Sequence, residues 1–305
     1  MNILVTGGAG FIGSHVTNLL ITASHNVTVL DKLILGRKEQ VNDKAKLIIG
    51  DIRDEKKTQE ALVGIDAVIH MAGLIVVPES VSDPIKYCDN NVMGTINLLE
   101  QMRKTGTNKI IFSSSACVYG SPTNLPMTEE ARVSPDNPYG ASKAAIESFL
   151  QSYNAVYGLN ATVLRYFNPY GPGELHNPET HAIPNFIKST LAKKPIPLYW
   201  MGEQIRDFIY IEDLARAHVD VLNLDGFHLF NIGTETGVKV KDVLDEIFKI
   251  AGYEVKIDDL GQRKGDVQAS FASSKKLNKA TGWKASVGLS EGLKISFEYY
   301  KNLRI

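Results

Sequence analysis

The chain has 305 residues, 44% of them hydrophobic, enough for a sizeable core in one large domain or two smaller ones. Its 33 Lys and Arg nearly balance 34 Asp and Glu, so the formal charge is -1 and no polybasic footprint for nucleic acid is present. Cys88 and Cys117, the two cysteines, stand in no zinc-ligand or C-x-x-C spacing, and no apolar run is long enough to span a bilayer. Strand-like residues begin at position 2, so the sequence predicts a cytoplasmic protein with no signal segment, no membrane partner and no nucleic acid.

Asn2-Ile3-Leu4-Val5-Thr6 reads as a first strand, and Ser14 to Leu20 as a helix. Between them Gly7, Gly10 and Gly13 have the G-x-x-G-x-x-G spacing of a phosphate-binding turn, with Phe11 and Ile12 at the helix start. Gly7 allows the tight turn, Gly10 lets the backbone approach a pyrophosphate, and Gly13 lets helix and strand pack closely. The helix N-terminus offers N–H groups and partial positive charge to the phosphates. Asn26 to Asp31 is the second strand. Asp31 at its end can accept from an adenosine ribose diol and would repel a 2′-phosphate, which favours NAD over NADP; Lys32 and Arg37 nearby weaken that preference.

Lys46 to Gly50 is a third strand, followed by Asp51-Ile52-Arg53-Asp54, where a polar group could face adenine or a solvated turn could lie. Ala67 to His70 is a fourth strand; Met71-Ala72-Gly73 after it is small enough for close passage of a dinucleotide. His70 reads either as a ligand group or as a packed core histidine. Asn90 to Leu99 reads as a helix and Lys109 to Phe112 as a fifth strand. This alternation predicts an α/β fold, a Rossmann-type doubly wound parallel sheet with ligands beyond the strands' carboxyl ends.

Ser113-Ser114-Ser115 close the fifth strand. Tyr139 and Lys143, one helical turn apart, open a helix running from Ala144 to Tyr153. Beside a lysine and a positively charged nicotinamide, the phenolate of Tyr139 is favoured, making it a proton acceptor for an alcohol. Lys143 would also hold the nicotinamide ribose, and a serine of 113–115 the same substrate oxygen. Ala161 to Tyr166 is a sixth strand, and helices follow near Pro184 to Leu191, from Glu212 to Val219, from Val240 to Ala251 and from Leu289 to Tyr300. Expected domains are 1–167, completed by 207–232, for the cofactor, and 168–206 with 233–305 for the substrate.

Gly7 to His15, Asp51 to Asp54, His70 to Gly73, Phe112 to Gly120 and Pro138 to Lys143 together resemble the extended short-chain dehydrogenase/reductase family, over essentially the whole chain. The resemblance implies NAD that stays bound, held by Gly7, Gly10, Phe11, Ile12, Gly13, Asp31, Asp51, Ile52, Ala72, Asn90, Ser113, Tyr139 and Lys143. It makes Ser115 the partner of Tyr139. It implies reversible C4 epimerisation of UDP-hexoses without a metal, the redox step being the cofactor's. Ala116 and Cys117 stand where sugar-nucleotide 4,6-dehydratases carry an Asp-Glu pair, which disfavours dehydration. Glu79 keeps its place in the family's turn, whereas Ile75 departs from a lysine seen in some epimerases.

By the same resemblance, Asn168, Arg206, Arg263 and Asp266 contact the diphosphate-sugar; Arg206 offers a fork of donors to a phosphate. Ser270 replaces a bulky tyrosine of relatives restricted to plain hexoses, which extends the expected substrates to N-acetylated UDP-hexoses. His181 stands where an asparagine is common, and Trp200-Met201 replace small or polar residues. A homodimer through helices near 90–105 and 142–157 is implied. Rival readings are a UDP-uronate decarboxylase, a net reductase, and a nucleotide-binding regulator without turnover.

Overall fold

In the computed structural model, which describes residues 1–121, 124–175, 181–262 and 267–303, β1 (Asn2–Thr6) is an interior strand of a sheet. Ile3, Leu4 and Val5 are fully buried, as a parallel strand covered on both faces requires. β2 (Asn26–Asp31), β3 (Lys46–Ile49), β4 (Ala67–His70), β5 (Lys109–Ser115) and β6 (Asn160–Tyr166) pair in parallel with their neighbours. Among the described residues the sheet has seven strands, in the order Phe227–Ile232, β6, β5, β4, β1, β2, β3. The order reverses between β1 and β4, the place where open sheets of this kind bind ligands beyond the strand ends.

α1 (Phe11–Thr22) buries Val16 and Leu20 and starts earlier than the apolar pattern alone indicates. Helix Pro138–Tyr157 is likewise longer than expected. Pro138 at its first position and Asn137, whose side chain accepts from Gly140 N at 2.9 Å, start it; Gly158 in the left-handed region (φ 70°) stops it. The expected helix after position 90 is two pieces: a π-helical turn, Cys88–Met93, runs into Gly94–Thr105. The turn directs Asn91 inward, where Leu74 N donates to Oδ1 at 2.8 Å and Nδ2 donates to Leu74 O at 3.1 Å.

Two compact units divide the chain: Met1–Ser121, Glu129–Tyr166 and Ala215–Asn231 in the first, Pro122–Thr128, Phe167–Leu214 and Ile232–Ile305 in the second. The boundaries differ from those read in the sequence at two segments, each for a visible reason. Met127 exchanges hydrogen bonds with the 271–273 strand end: Met127 N donates to Phe271 O at 2.9 Å, and Ser273 N donates to Met127 O at 2.7 Å. Asp207 accepts from Thr234 N at 2.7 Å and Ala272 N at 3.1 Å. Both segments therefore belong to the second unit.

That unit is built of short strands. Ile205–Arg206 lies between Val238–Lys239, antiparallel, and Ala269–Ser270, parallel. Helix Val240–Ala251 buries Val243, Leu244, Ile247 and Phe248 along one stripe. Asp213, in the first turn of the helix Ile211–Asp220, accepts from Ser286 N and Val287 N, both at 2.8 Å, and from Ser286 Oγ at 2.7 Å. Trp283 Nε1 donates to Asp213 O at 3.0 Å, so one residue ties down the approach to the terminal helix Leu289–Asn302. Among the described residues no helix is long and apolar enough to cross a membrane.

Candidate active site

The glycine turn lies at the reversal of strand order. Gly7 has φ 74°, and a Cβ there would stand 2.7 Å from Ala72 N, so the ends of β1 and β4 approach closely. A Cβ on Gly13 would fall onto Gly7 O and 2.7 Å from Gly8 Cα. At Gly10 only Gly7 O comes near, at 3.3 Å, which leaves that side of the turn open. No side chain caps Gly10, and the first turn of α1 carries no acid, so its N–H groups can meet an anion. Asp31 ties the turn in place: Ala9 N donates to Oδ2 at 3.0 Å and Leu33 N to Oδ1 at 2.8 Å. A carboxylate has lone pairs left for a ribose diol. An uncapped helix end, an open glycine and an acid at the β2 end fit a dinucleotide.

Lys32, which carries positive charge close to Asp31, is engaged elsewhere: Nζ donates to Asn90 Oδ1 at 2.5 Å and to Asp51 Oδ2 at 3.4 Å. Burial tends to raise Asp51, but hydrogen bonds from Arg53 and the charges of Lys32 and Arg53 outweigh it and hold the carboxyl at about 2. Ile52 is buried against Gly94. Of the two readings of His70, the structure gives the packed one. It is fully buried between Thr6 Oγ1 at 2.7 Å and Thr95 Oγ1 at 2.8 Å, and burial, aided by the Lys143 charge, pushes it down to about 3.

Ser115, Tyr139 and Lys143 come together at the end of β5. Helix Pro138–Tyr157 presents Tyr139 and Lys143 on one buried face, with Lys143 Nζ 5.9 Å from the Tyr139 ring centre. Nζ donates to Ser113 O at 2.7 Å and lies 4.8 Å over the Phe112 ring. Ser113 Oγ accepts from Tyr166 OH at 2.5 Å, and Tyr166 also contacts His218. Burial is the largest influence on the Tyr139 phenol and pushes it above its ordinary value of 10.0; Cys117 adds to this, and the Ser115 hydroxyl bond pulls it back. Burial also lowers Lys143 from 10.5 to about 8, against the opposing carboxylate of Glu147. The expected favouring of the phenolate therefore does not come from the polypeptide alone.

The second unit holds a cavity of about 700 Å³ whose wall includes Asn168, Glu174, His181, Tyr199, Gln204 and Arg206. Asn168 Nδ2 donates to Asp207 O at 3.1 Å, and Arg206 Nη1 donates to Ile205 O at 2.8 Å. Ser270 is paired across the strands with Arg206. His181 pairs with the buried carboxylate of Glu174. Arg263 and Asp266 lie outside the described residues.

Residues 3–233 match the model of the NAD dependent epimerase/dehydratase family. The chain belongs to that epimerase/dehydratase family. The UDP-glucose 4-epimerase of Lacticaseibacillus casei is 39% identical over 303 residues, covering 93% of this chain and 92% of its own. The crystal structure of UDP-glucose 4-epimerase with UDP-glucose from Thermotoga maritima has 36% identity and a TM-score of 0.96, covering 99% of each chain. That of the Thermus thermophilus UDP-glucose 4-epimerase in complex with NAD has 34% identity and a TM-score of 0.93, covering 99% of this chain and 100% of its own.

For this member of the epimerase/dehydratase family, reading the sequence alone passed over Glu147, Arg165, Glu174 and Gln204, all buried near candidate residues. Glu147 had a signal: it stands one helical turn beyond Lys143.

Proposed function

We propose that the protein inverts C4 of UDP-hexoses through a 4-keto sugar, with NAD held in the first unit. The observation that supports this is the meeting of Ser115, at the end of β5, with the buried Tyr139 and Lys143, with Ala116 and Cys117 in place of an acid pair. Gly7, Gly10, Phe11, Ile12 and Gly13 would cradle the pyrophosphate of NAD and Asp31 its adenosine ribose, with Asp51, Ile52, Ala72, Asn90 and Ser113 lining the same end of the sheet. Bound NAD+ supplies the hydride acceptor and, reduced, the hydride donor.

Tyr139 takes the C4 hydroxyl proton and later returns it on the other face of the sugar; Ser115 holds the same oxygen through its hydroxyl. Lys143, anchored on Ser113 O, holds the nicotinamide ribose and keeps positive charge by the phenol. Asn168 and Arg206 hold the diphosphate, a role that the motif match extends to Arg263 and Asp266. The small side chain of Ser270 admits a 2-acetamido group, so N-acetylated UDP-hexoses are included among the substrates. The protein is a cytoplasmic homodimer in this reading; Met93, Phe149, Val156 and Tyr157 are exposed on the helices assigned to the interface.

The test is incubation with UDP-galactose, UDP-glucose, UDP-GalNAc and UDP-GlcNAc, without added reductant, with products resolved by chromatography. Interconversion within both pairs is expected. Conversion of the plain hexoses alone would remove the Ser270 assignment. No interconversion by NAD-loaded protein, or stoichiometric release of NADH, would overturn the proposal.

A further inference from the structure

Each of the three serines that close β5 meets a different residue of the helix Pro138–Tyr157. Ser113 O accepts from Lys143 Nζ at 2.7 Å. Ser114 Oγ donates to Glu147 Oε1 at 2.5 Å. Ser115 shares a side-chain hydrogen bond with Tyr139. The middle contact involves neither a reacting group nor an expected ligand. It is also buried and held by a further residue. Ser114 and Arg165 are each 2% exposed and Glu147 6%.

Arg165 stands opposite Ser114 in the parallel pairing of β5 with β6. It donates from Nε to Glu147 Oε1 at 2.9 Å and from Nη2 to Glu147 Oε2 at 2.5 Å, a two-point grip on one carboxylate. Its guanidinium carbon lies 4.6 Å from the centre of the Tyr119 ring. Tyr119 is held in turn, its hydroxyl donating to Asn231 Oδ1 at 2.6 Å. A buried ion pair is a poor stabiliser next to well-packed apolar side chains. What it does supply is a fixed distance between strand and helix.

We propose that Glu147, gripped by Arg165 and joined to Ser114, is a positioning residue that sets the register of β5 against the helix carrying Tyr139 and Lys143. A hydrogen-bonded carboxylate at the middle serine fixes both neighbours. Ser115 cannot slide along Tyr139, nor Ser113 O along Lys143, without breaking the 2.5 Å contact between them. The inference rests on the reading of Ser115 and Tyr139 as the groups that handle the proton.

The experiment compares Ser114→Ala, the double variant Glu147→Leu/Arg165→Leu, and Tyr139→Phe as NAD-loaded proteins in the UDP-galactose to UDP-glucose assay. Ser114→Ala removes the tie while leaving both charges paired. It is expected to lower kcat about tenfold or more with KM within about twofold, because misplacement of a reacting group is felt in the chemical step. The double variant, where it melts cooperatively, is expected to show the same split. A Ser114→Ala kcat within about twofold of the parent, or a loss confined to KM, overturns the inference whether or not the double variant folds. Tyr139→Phe separates the two failures. If it retains conversion, the underlying reading fails. If it abolishes conversion while Ser114→Ala does not, the positioning role alone fails.

Discussion

Tyr139 is a buried phenol whose pKa is raised, not lowered, by its surroundings. A proton acceptor so placed is not activated by the polypeptide around it. Tyr139→Phe is expected to cost about 10²–10⁴ in kcat with nucleotide binding retained, measured by turnover and by equilibrium binding of UDP. His70 gives a second prediction, in stability. Its folded value is about 3 against an ordinary 6.5, so between these values the unfolded chain holds a proton that the folded one lacks. Stability from this residue therefore rises with pH across that window and falls as pH drops through it. Urea midpoints at about pH 4.5 and 7 should differ more for the parent than for His70→Gln. Glu147→Gln leaves Arg165 charged and buried without its counter-ion, and should destabilise by about 3–5 kcal/mol in urea unfolding. Tyr139 and Lys143 could be picked out because a helical Y-x-x-x-K after a serine-ended strand is a local pattern, whereas the choice of Ser115 among the three serines came only from the family resemblance. The partnership of Glu147 with Arg165 was not legible, because it depends on which residue of β6 faces Ser114.

At the level of elements, the turn from β1 into α1 was almost fully legible. Its glycines are dictated by geometry that any side chain would violate. Gly13→Ala would drive a methyl group onto Gly7 O, so NAD affinity should fall more than about tenfold, with a lower melting temperature, by calorimetry and thermal unfolding. Asn137→Ala removes the cap on Gly140 N and should cost about 1 kcal/mol. The π-helical turn Cys88–Met93 could not be read from sequence. Its residues have ordinary helical propensity, and the extra residue per turn is fixed by Asn91 reaching Leu74. The role of Asp213 escapes the sequence for the same reason. An acid in a first helical turn is a common dipole partner, and only the tertiary fold brings Ser286 and Val287 to it.

At the level of the whole molecule, the helix Pro138–Tyr157 leaves Phe149 and Val156 exposed two turns apart on one stripe, with Val156 66% accessible. If that stripe is the homodimer interface, Val156→Glu should shift the protein to the monomer in sedimentation without loss of fold by circular dichroism. The overall architecture was legible because each βα repeat announces itself locally. The unit boundaries were less so, since they depend on distant partners such as Met127 with Ala272. The units are also interleaved along the chain. β6 takes its second neighbour, Phe227–Ile232, from a segment that follows Phe167–Leu214. On the ribosome, β6 therefore emerges long before the strand that closes its outer edge. During that interval the nascent chain displays a row of unpaired backbone donors and acceptors, the period in which it most needs shielding from neighbours.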